Sequence, residues 1–325
     1  MAKKYLVTGG SGFIGSALVK RLLAGGDSVR VLDDLSRGRP RRLKEVEDRI
    51  EFVQGDVRDA ARTAEAARGV DSILHLAFVN GTEFFYTKPD LVLDVGVKGM
   101  ISVIEAARAH AIPELVLASS SEVYQSPAKV PTDETAALMI PDPHNPRYSY
   151  GAGKIISEML ALHQAGRFMK RVLIFRPHNV YGPDMGGEHV LPQFALRMKG
   201  LAAAAPSGPL DFKIHGTGKE TRSFIEIGDF AEGLALLLER GEHLGIYHIG
   251  TRDEVTIADL ARRVAACFDR EIRLVHDLNA APGGTLRRCP DIRKMESLGF
   301  RPRVTLDEGI PRLVRWYVEH FKENP

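Results

Sequence analysis

Cysteine is scarce in this chain of 325 residues, which has only Cys267 and Cys289. Two are too few for a disulfide framework. No CxxC or Cys/His spacing suggests structural zinc, so no metal is expected. No charge of one sign dominates. The sum is 44 Lys and Arg against 42 Asp and Glu, a net +2, which calls for neither nucleic acid nor an acidic membrane surface. The one dense basic run, Arg37, Arg39, Arg41, Arg42 and Lys44, reads as a solvated loop. No unbroken apolar stretch is long enough to span a bilayer, and Met1-Ala2-Lys3-Lys4 runs into a strand without an apolar signal region. A cytoplasmic protein with no membrane partner is the expectation. There is no internal repeat. What remains is 44% hydrophobic and 26% charged, the balance of a globular chain with a substantial core in one large domain or two ordinary ones.

The apolar segments alternate in kind. Tyr5–Val7, Val29–Leu32, Glu51–Val53, Ser72–Leu76, Leu115–Ala118 and Val172–Phe175 read as strands. Helical spacing runs over Ser16–Ala24, Leu91–His110 and Tyr150–His163. Beyond Arg176, the prolines at 177, 183, 192, 206 and 209 punctuate loops and short helices, the alanines at 202–205 read as a helix end, and a strand returns at Ile246–Ile249. This order predicts an α/β fold: a Rossmann-type doubly wound parallel sheet with a smaller C-terminal α/β domain.

Thr8-Gly9-Gly10-Ser11-Gly12-Phe13-Ile14-Gly15 joins the first strand to the first helix. Gly10, Gly12 and Gly15 satisfy GxGxxG, and Gly9, Gly12 and Gly15 satisfy GxxGxxG. Either lets backbone approach a pyrophosphate at a helix N-terminus. Phe13 and Ile14 fall within the same turn. Asp33 ends the second strand, 18 residues after Gly15, where a carboxylate bonds the ribose hydroxyls of NAD and repels the 2′-phosphate of NADP. A turn former beside Asp34 is its plainer role. Asp56, next to Val57 at the end of the third strand, either reaches the adenine or caps a helix. Leu76 and Ala77, ending the fourth strand, complete the cofactor set.

Tyr150-Gly151-Ala152-Gly153-Lys154 is a YxxxK. On a helix its phenol and ammonium share a face, and the charge should bring the Tyr150 pKa down. It follows Ala118-Ser119-Ser120-Ser121-Glu122-Val123-Tyr124 at a strand end, whose hydroxyls can hold the oxygen that Tyr150 deprotonates.

With His75-Leu76-Ala77, Arg176-Pro177-His178-Asn179-Val180-Tyr181-Gly182-Pro183, Gly216–Phe224 and Arg288-Cys289-Pro290-Asp291 in the same order, the chain resembles the extended short-chain dehydrogenase/reductase family, the nucleotide-sugar epimerases and dehydratases. The resemblance covers nearly the whole chain. It implies NAD as a retained cofactor, a nucleoside-diphosphate sugar as substrate, and a homodimer built on the helices Leu91–His110 and Tyr150–His163. It implies an NAD-binding domain of residues 1–177 plus about 222–252 and a nucleotide-sugar domain of 178–221 plus about 253–325. It makes Tyr150 the acid/base, supported by Lys154, which also touches the nicotinamide ribose. Ser120, rather than Ser119 or Ser121, should bond the sugar O4, with Ser121 beside it. Asn179, Arg222 and Arg288 should take the diphosphate; surface ion pairs are the alternative for the arginines. Glu188 and His189 either read the sugar or face solvent.

The common step so implied is oxidation at C4 to a 4-keto sugar. Epimerisation, 4,6-dehydration and decarboxylation branch from it. Ser120-Ser121-Glu122-Val123-Tyr124 resembles the corresponding run of UDP-glucuronate decarboxylases and GDP-mannose 4,6-dehydratases, so Glu122 is the candidate base at C5; a strand-end carboxylate paired to a cation is its alternative. Three positions depart from the family: Gln125 for Gly, Phe78 for a small residue, and Gly96 for a frequent Asn. A non-catalytic NAD-binding sensor and a reductase that releases its cofactor are the rival readings.

Overall fold

The computed structural model describes residues 2–205, 207–277 and 285–321, so residue 206 of the loop prolines lies outside it. Six strands appear in the first half: β1 (Lys4–Thr8), β2 (Ser28–Asp33), β3 (Ile50–Gln54), β4 (Ser72–His75), β5 (Glu114–Ala118) and β6 (Arg171–Pro177). They join Gly245–Ile249 in one seven-stranded sheet, in the order Gly245–Ile249, β6, β5, β4, β1, β2, β3. Every pairing is parallel. The chain winds outward one way from β1 through β2 to β3, then returns to wind the other way from β4. That reversal opens a crevice at the carboxyl ends of β1 and β4, where doubly wound folds bind ligands.

The helices are α1 (Phe13–Ala24), α2 (Ala60–Ala67), α3 (Thr82–Thr87), α4 (Pro89–Ala109), α5 (Ser149–His163) and α6 (Val190–Ala204), followed by Ile227–Arg240, Ile257–Ala266, Arg293–Ser297 and Leu306–His320. One core joins α2, α4 and α5 to a sheet face through Leu6, Ile73, Leu115, Val103 and Ile174. A second, on the other face, joins α1 and Ile227–Arg240 through Val7, Leu18, Val31, Phe175 and Leu234. Strands covered on both sides must be apolar throughout, which is why β5 is buried along its whole length.

A third core lies beyond Val180. Phe194, Phe212, Leu260, Leu313 and Tyr317 pack there between α6, the helices Ile257–Ala266 and Leu306–His320, and a parallel pair formed by Leu210–His215 and Ile272–Asp277. Sequence reading found no strand in that pair: Leu210–His215 alternates cleanly but follows the proline-rich loop, and Ile272–Asp277 breaks the alternation at Leu274 and Val275. The run Pro40–Arg49, read as a solvated loop, forms 3-10 turns and buries Leu43 and Val46.

Candidate active site

The glycine turn lies over the crevice. Gly9 has φ +71°, and a Cβ there would stand 2.8 Å from the Ala77 amide nitrogen; a Cβ on Gly15 would overlap the Gly9 carbonyl oxygen. Gly9, Gly12 and Gly15, with Phe13, Ile14 and Leu76, line a cavity of about 360 Å³, while Gly10 abuts the Val31 side chain. Of the two spacings open in the sequence, the one through Gly9 is therefore the one facing the cavity. α1 starts there with no acidic residue in its first turn. Free amides and a positive dipole end, approachable because no Cβ intervenes, fit a dinucleotide diphosphate.

Asp33 stands beside this turn. Its carboxylate accepts the Ser11 and Leu35 amides at 2.8 and 2.9 Å. Burial pushes its pKa up against those two bonds. An ionised carboxylate has about four acceptor sites, so two remain for ribose hydroxyls. Asp34 is exposed and accepts the Ser36 amide and hydroxyl. Asp56 takes the Arg58 amide and guanidinium, which hold its carboxyl below the usual range. The cap of α2 is Asp59, so the capping alternative for Asp56 fails. Val57 is buried against Gly99, and the Ala77 amide donates to the Thr8 hydroxyl.

Tyr150 and Lys154 lie one turn apart in α5, both buried. The Tyr150 ring stacks on Phe85 at 4.9 Å and meets the edge of Phe78 at 5.1 Å. Ser120 lies near enough to its phenol to oppose the effect of burial on the phenol's pKa. Ser119 instead bonds Glu158, which Arg176 grips with two nitrogens at 2.8 and 2.6 Å. The three serines thus divide: Ser119 belongs to a buried ion-pair network, Ser120 lies by the phenol, and all three, Ser121 included, border the cavity.

One expectation is corrected here. Lys154 does not bring the Tyr150 pKa down. Burial pushes the phenol up, with Ser120 opposing, and pushes the Lys154 ammonium down to about 7. The Lys154 Nζ donates to the Ala118 carbonyl at 2.7 Å and stands 5.7 Å from the Tyr150 ring centroid.

Glu122 is ion-paired. Arg288 Nη1 reaches it at 2.6 Å while Nη2 donates to Thr285 at 3.0 Å. Burial raises the Glu122 pKa, but Arg288, aided by Arg147 and Arg222, more than offsets that, and the carboxyl lies below its usual range. Arg222 has its guanidinium on its neighbour's carbonyl, and burial beside Arg288 lowers its pKa to about 10. Arg147, three residues before Tyr150, has a buried Nε without a hydrogen-bond partner; sequence reading missed it, having no motif to mark it. Asn179, at φ +42°, donates its amide to the Ser223 carbonyl at 2.7 Å and borders the cavity. Gln125, the departure from glycine noted in the sequence, sits at φ +51° and anchors its side chain on the Glu122 carbonyl at 2.6 Å. A positive φ explains a glycine preference there, and the side-chain bond compensates for its absence.

The basic run is no solvated loop. Arg42 and Arg41 bond Asp184, Arg42 also reaches the Ser11 carbonyl, and Arg37 pairs with Glu188 while stacking over Phe84. Arg37, Arg42, Glu188 and His189 all border the cavity.

Glycine turn, strand-end serines and the Tyr150–Lys154 pair border one cavity, the arrangement of a dinucleotide-dependent enzyme of the short-chain dehydrogenase/reductase class. The chain matches the model of the NAD dependent epimerase/dehydratase family over residues 5–250, and it belongs to that family. It is 32% identical to UDP-glucuronic acid decarboxylase 1 of Arabidopsis thaliana, over 96% of this chain and 69% of that one. It is 32% identical to the UDP-glucose 4-epimerase of Mycolicibacterium smegmatis, over 96% and 97%. The dTDP-glucose 4,6-dehydratase of Streptomyces venezuelae, solved with NAD, superposes with TM-score 0.84 at 33% identity, over 98% and 97%. The chain is an NAD-dependent enzyme of the epimerase/dehydratase kind.

Proposed function

We propose that this enzyme is an epimerase/dehydratase that oxidises the C4 hydroxyl of a nucleoside-diphosphate sugar to a 4-keto sugar and returns the hydride before the product leaves, so that the cofactor is recycled. NAD bound at the glycine turn supplies the acceptor and donor of hydride. Ser120 orients O4, Tyr150 removes its proton and later returns one, and Lys154 holds positive charge beside the proton path. Asn179, Arg222 and Arg288 hold the diphosphate. The observation that carries the reading is that Ser120, Tyr150 and Lys154 border the same cavity as Gly9, Gly12 and Gly15. Incubation with a panel of nucleotide sugars, with products identified by mass and NMR, tests it. No turnover of any panel member, with NAD bound, counts against it.

A second reading, decarboxylation of a sugar 6-carboxylate by the same oxidation, draws support from charge. Arg288 pairs with Glu122, and Arg147 and Arg222 add positive charge near it, which suits a substrate carrying a carboxylate besides its diphosphate. Product mass separates the readings.

We also assign residues 1–177 plus about 222–252 to cofactor binding and 178–221 plus about 253–325 to the nucleotide sugar. The third core, beginning at Tyr181, supports that division. A cytoplasmic homodimer through α4 and α5 completes the proposal. Exposed Leu93, Ile101, Ile156 and Met159 on those helices favour it.

A further inference from the structure

Two departures from the family, Phe78 and Gly96, are in contact. A Cβ on Gly96 would overlap the Phe78 ring, and one on Gly153 would stand 3.0 Å from it. Glycine at both positions opens a slot between α4 and α5, and the ring fills it. The ring face receives the Lys154 ammonium, whose Nζ lies 3.9 Å from the centroid; the ring edge rests on Tyr150. Apart from this face, the ammonium hydrogen-bonds only the Ala118 carbonyl among the described residues.

The charged and titratable groups facing Lys154 are few. Glu158 lies one turn on in α5 and is occupied by Arg176 and Ser119. Tyr150 lies one turn back. His75 comes from β4, and burial next to Lys154 pushes its pKa down to about 3, so it is neutral. None of them hydrogen-bonds the ammonium. In such a dry site, an aromatic face is an effective partner for a cation.

We propose that Phe78 is a positioning residue for the Tyr150–Lys154 pair, a cation–π seat that keeps Lys154 charged and in place, and that Gly96 and Gly153 are glycine to house it. This rests on the assignment of Tyr150 and Lys154 as the proton-transfer pair. The family's small residue at 78 and its frequent Asn at 96 thus give way together to one aromatic device.

The test uses the NAD-bound enzyme. Phe78→Leu keeps apolar volume and removes the π face; Phe78→Tyr keeps the face; Gly96→Ala displaces the ring. The Lys154 titration is followed by NMR in protein carrying carbon-13 lysine, the signal assigned by its loss in Lys154→Met. Phe78→Leu and Gly96→Ala should each lower the Lys154 pKa by about one unit, and Phe78→Tyr should leave it in place. The alkaline limb of the kcat profile should move down by the same amount, with KM for the nucleotide sugar little changed. A Lys154 titration unmoved in Phe78→Leu overturns the proposal, as does a Phe78→Tyr shift as large as that of Phe78→Leu. If the NMR shift occurs while no nucleotide sugar turns over, the seat stands and the functional assignment falls. If Gly96→Ala fails to fold, the Phe78 pair alone decides.

Discussion

Tyr150 and Lys154 share a helix face, as their spacing predicts, yet burial drives their protons in opposite directions. Tyr150→Phe keeps the ring between Phe78 and Phe85 and loses only the phenol. It should cut C4 oxidation by a factor on the order of 10² to 10⁴, with an unchanged melting temperature. Single-turnover reduction of bound NAD reads the rate, and a normal rate would remove Tyr150 from its role. Lys154 leaves a mark on stability as well. Its pKa falls from 10.5 unfolded to about 7 folded. Between these values the unfolded chain holds more protons, so stability should rise with pH across that window. Lys154→Met should flatten that rise, as urea midpoints near its two ends would show. Glu122 allows a two-sided test. Glu122→Gln removes the carboxylate that pairs with Arg288, so a free nucleoside diphosphate should bind several-fold tighter by calorimetry. If Glu122 is the C5 base, the same variant should still reduce bound NAD while losing exchange of the C5 proton with deuterated water. Undiminished exchange would show another base. Ser120, Glu122, Tyr150 and Arg288 were legible because motif spacing marks them. Arg147 was not, because an arginine at a helix start looks like any solvated one until its burial is seen.

At the scale of elements, the inner strands of the sheet were legible because burial on both faces leaves apolar runs bounded by glycine and polar turns, while the largely exposed edge strand β3 showed only through Phe52 and Val53. The pair Leu210–His215 and Ile272–Asp277 was not, since partners 62 positions apart carry no local signal of their register. The glycine turn was legible as a motif, but which glycines face the cavity depends on tertiary neighbours such as Ala77 and Val31. Gly15→Ala should abolish cofactor retention on purification, because the added methyl meets the Gly9 carbonyl with nowhere to move. Gly10→Ala presses on a side chain rather than backbone and should disturb retention less; absorbance of the bound cofactor distinguishes them. Asp33→Ala should weaken NAD and narrow its advantage over NADP, and titration of cofactor-free protein with both reads it. Equal or tighter binding of NADP by the unmodified protein would contradict the role given to Asp33.

For the whole molecule, the apolar residues left outside on α4 and α5 bear on assembly. Met159→Lys with Ile101→Asp should give a monomer in sedimentation at micromolar concentration while the unmodified chain stays dimeric. A monomeric unmodified chain would end the dimer proposal. A different relation binds the two ends of the cavity. Arg37, Arg41 and Arg42 come from the loop after β2, beside the cofactor turn; Asp184 and Glu188 come from the segment leading into α6. These ion pairs are partly exposed, so each is worth little and dissolved salt weakens it. A cofactor whose release requires these pairs to part should leave faster as ionic strength rises, which a dissociation rate followed against salt concentration would show.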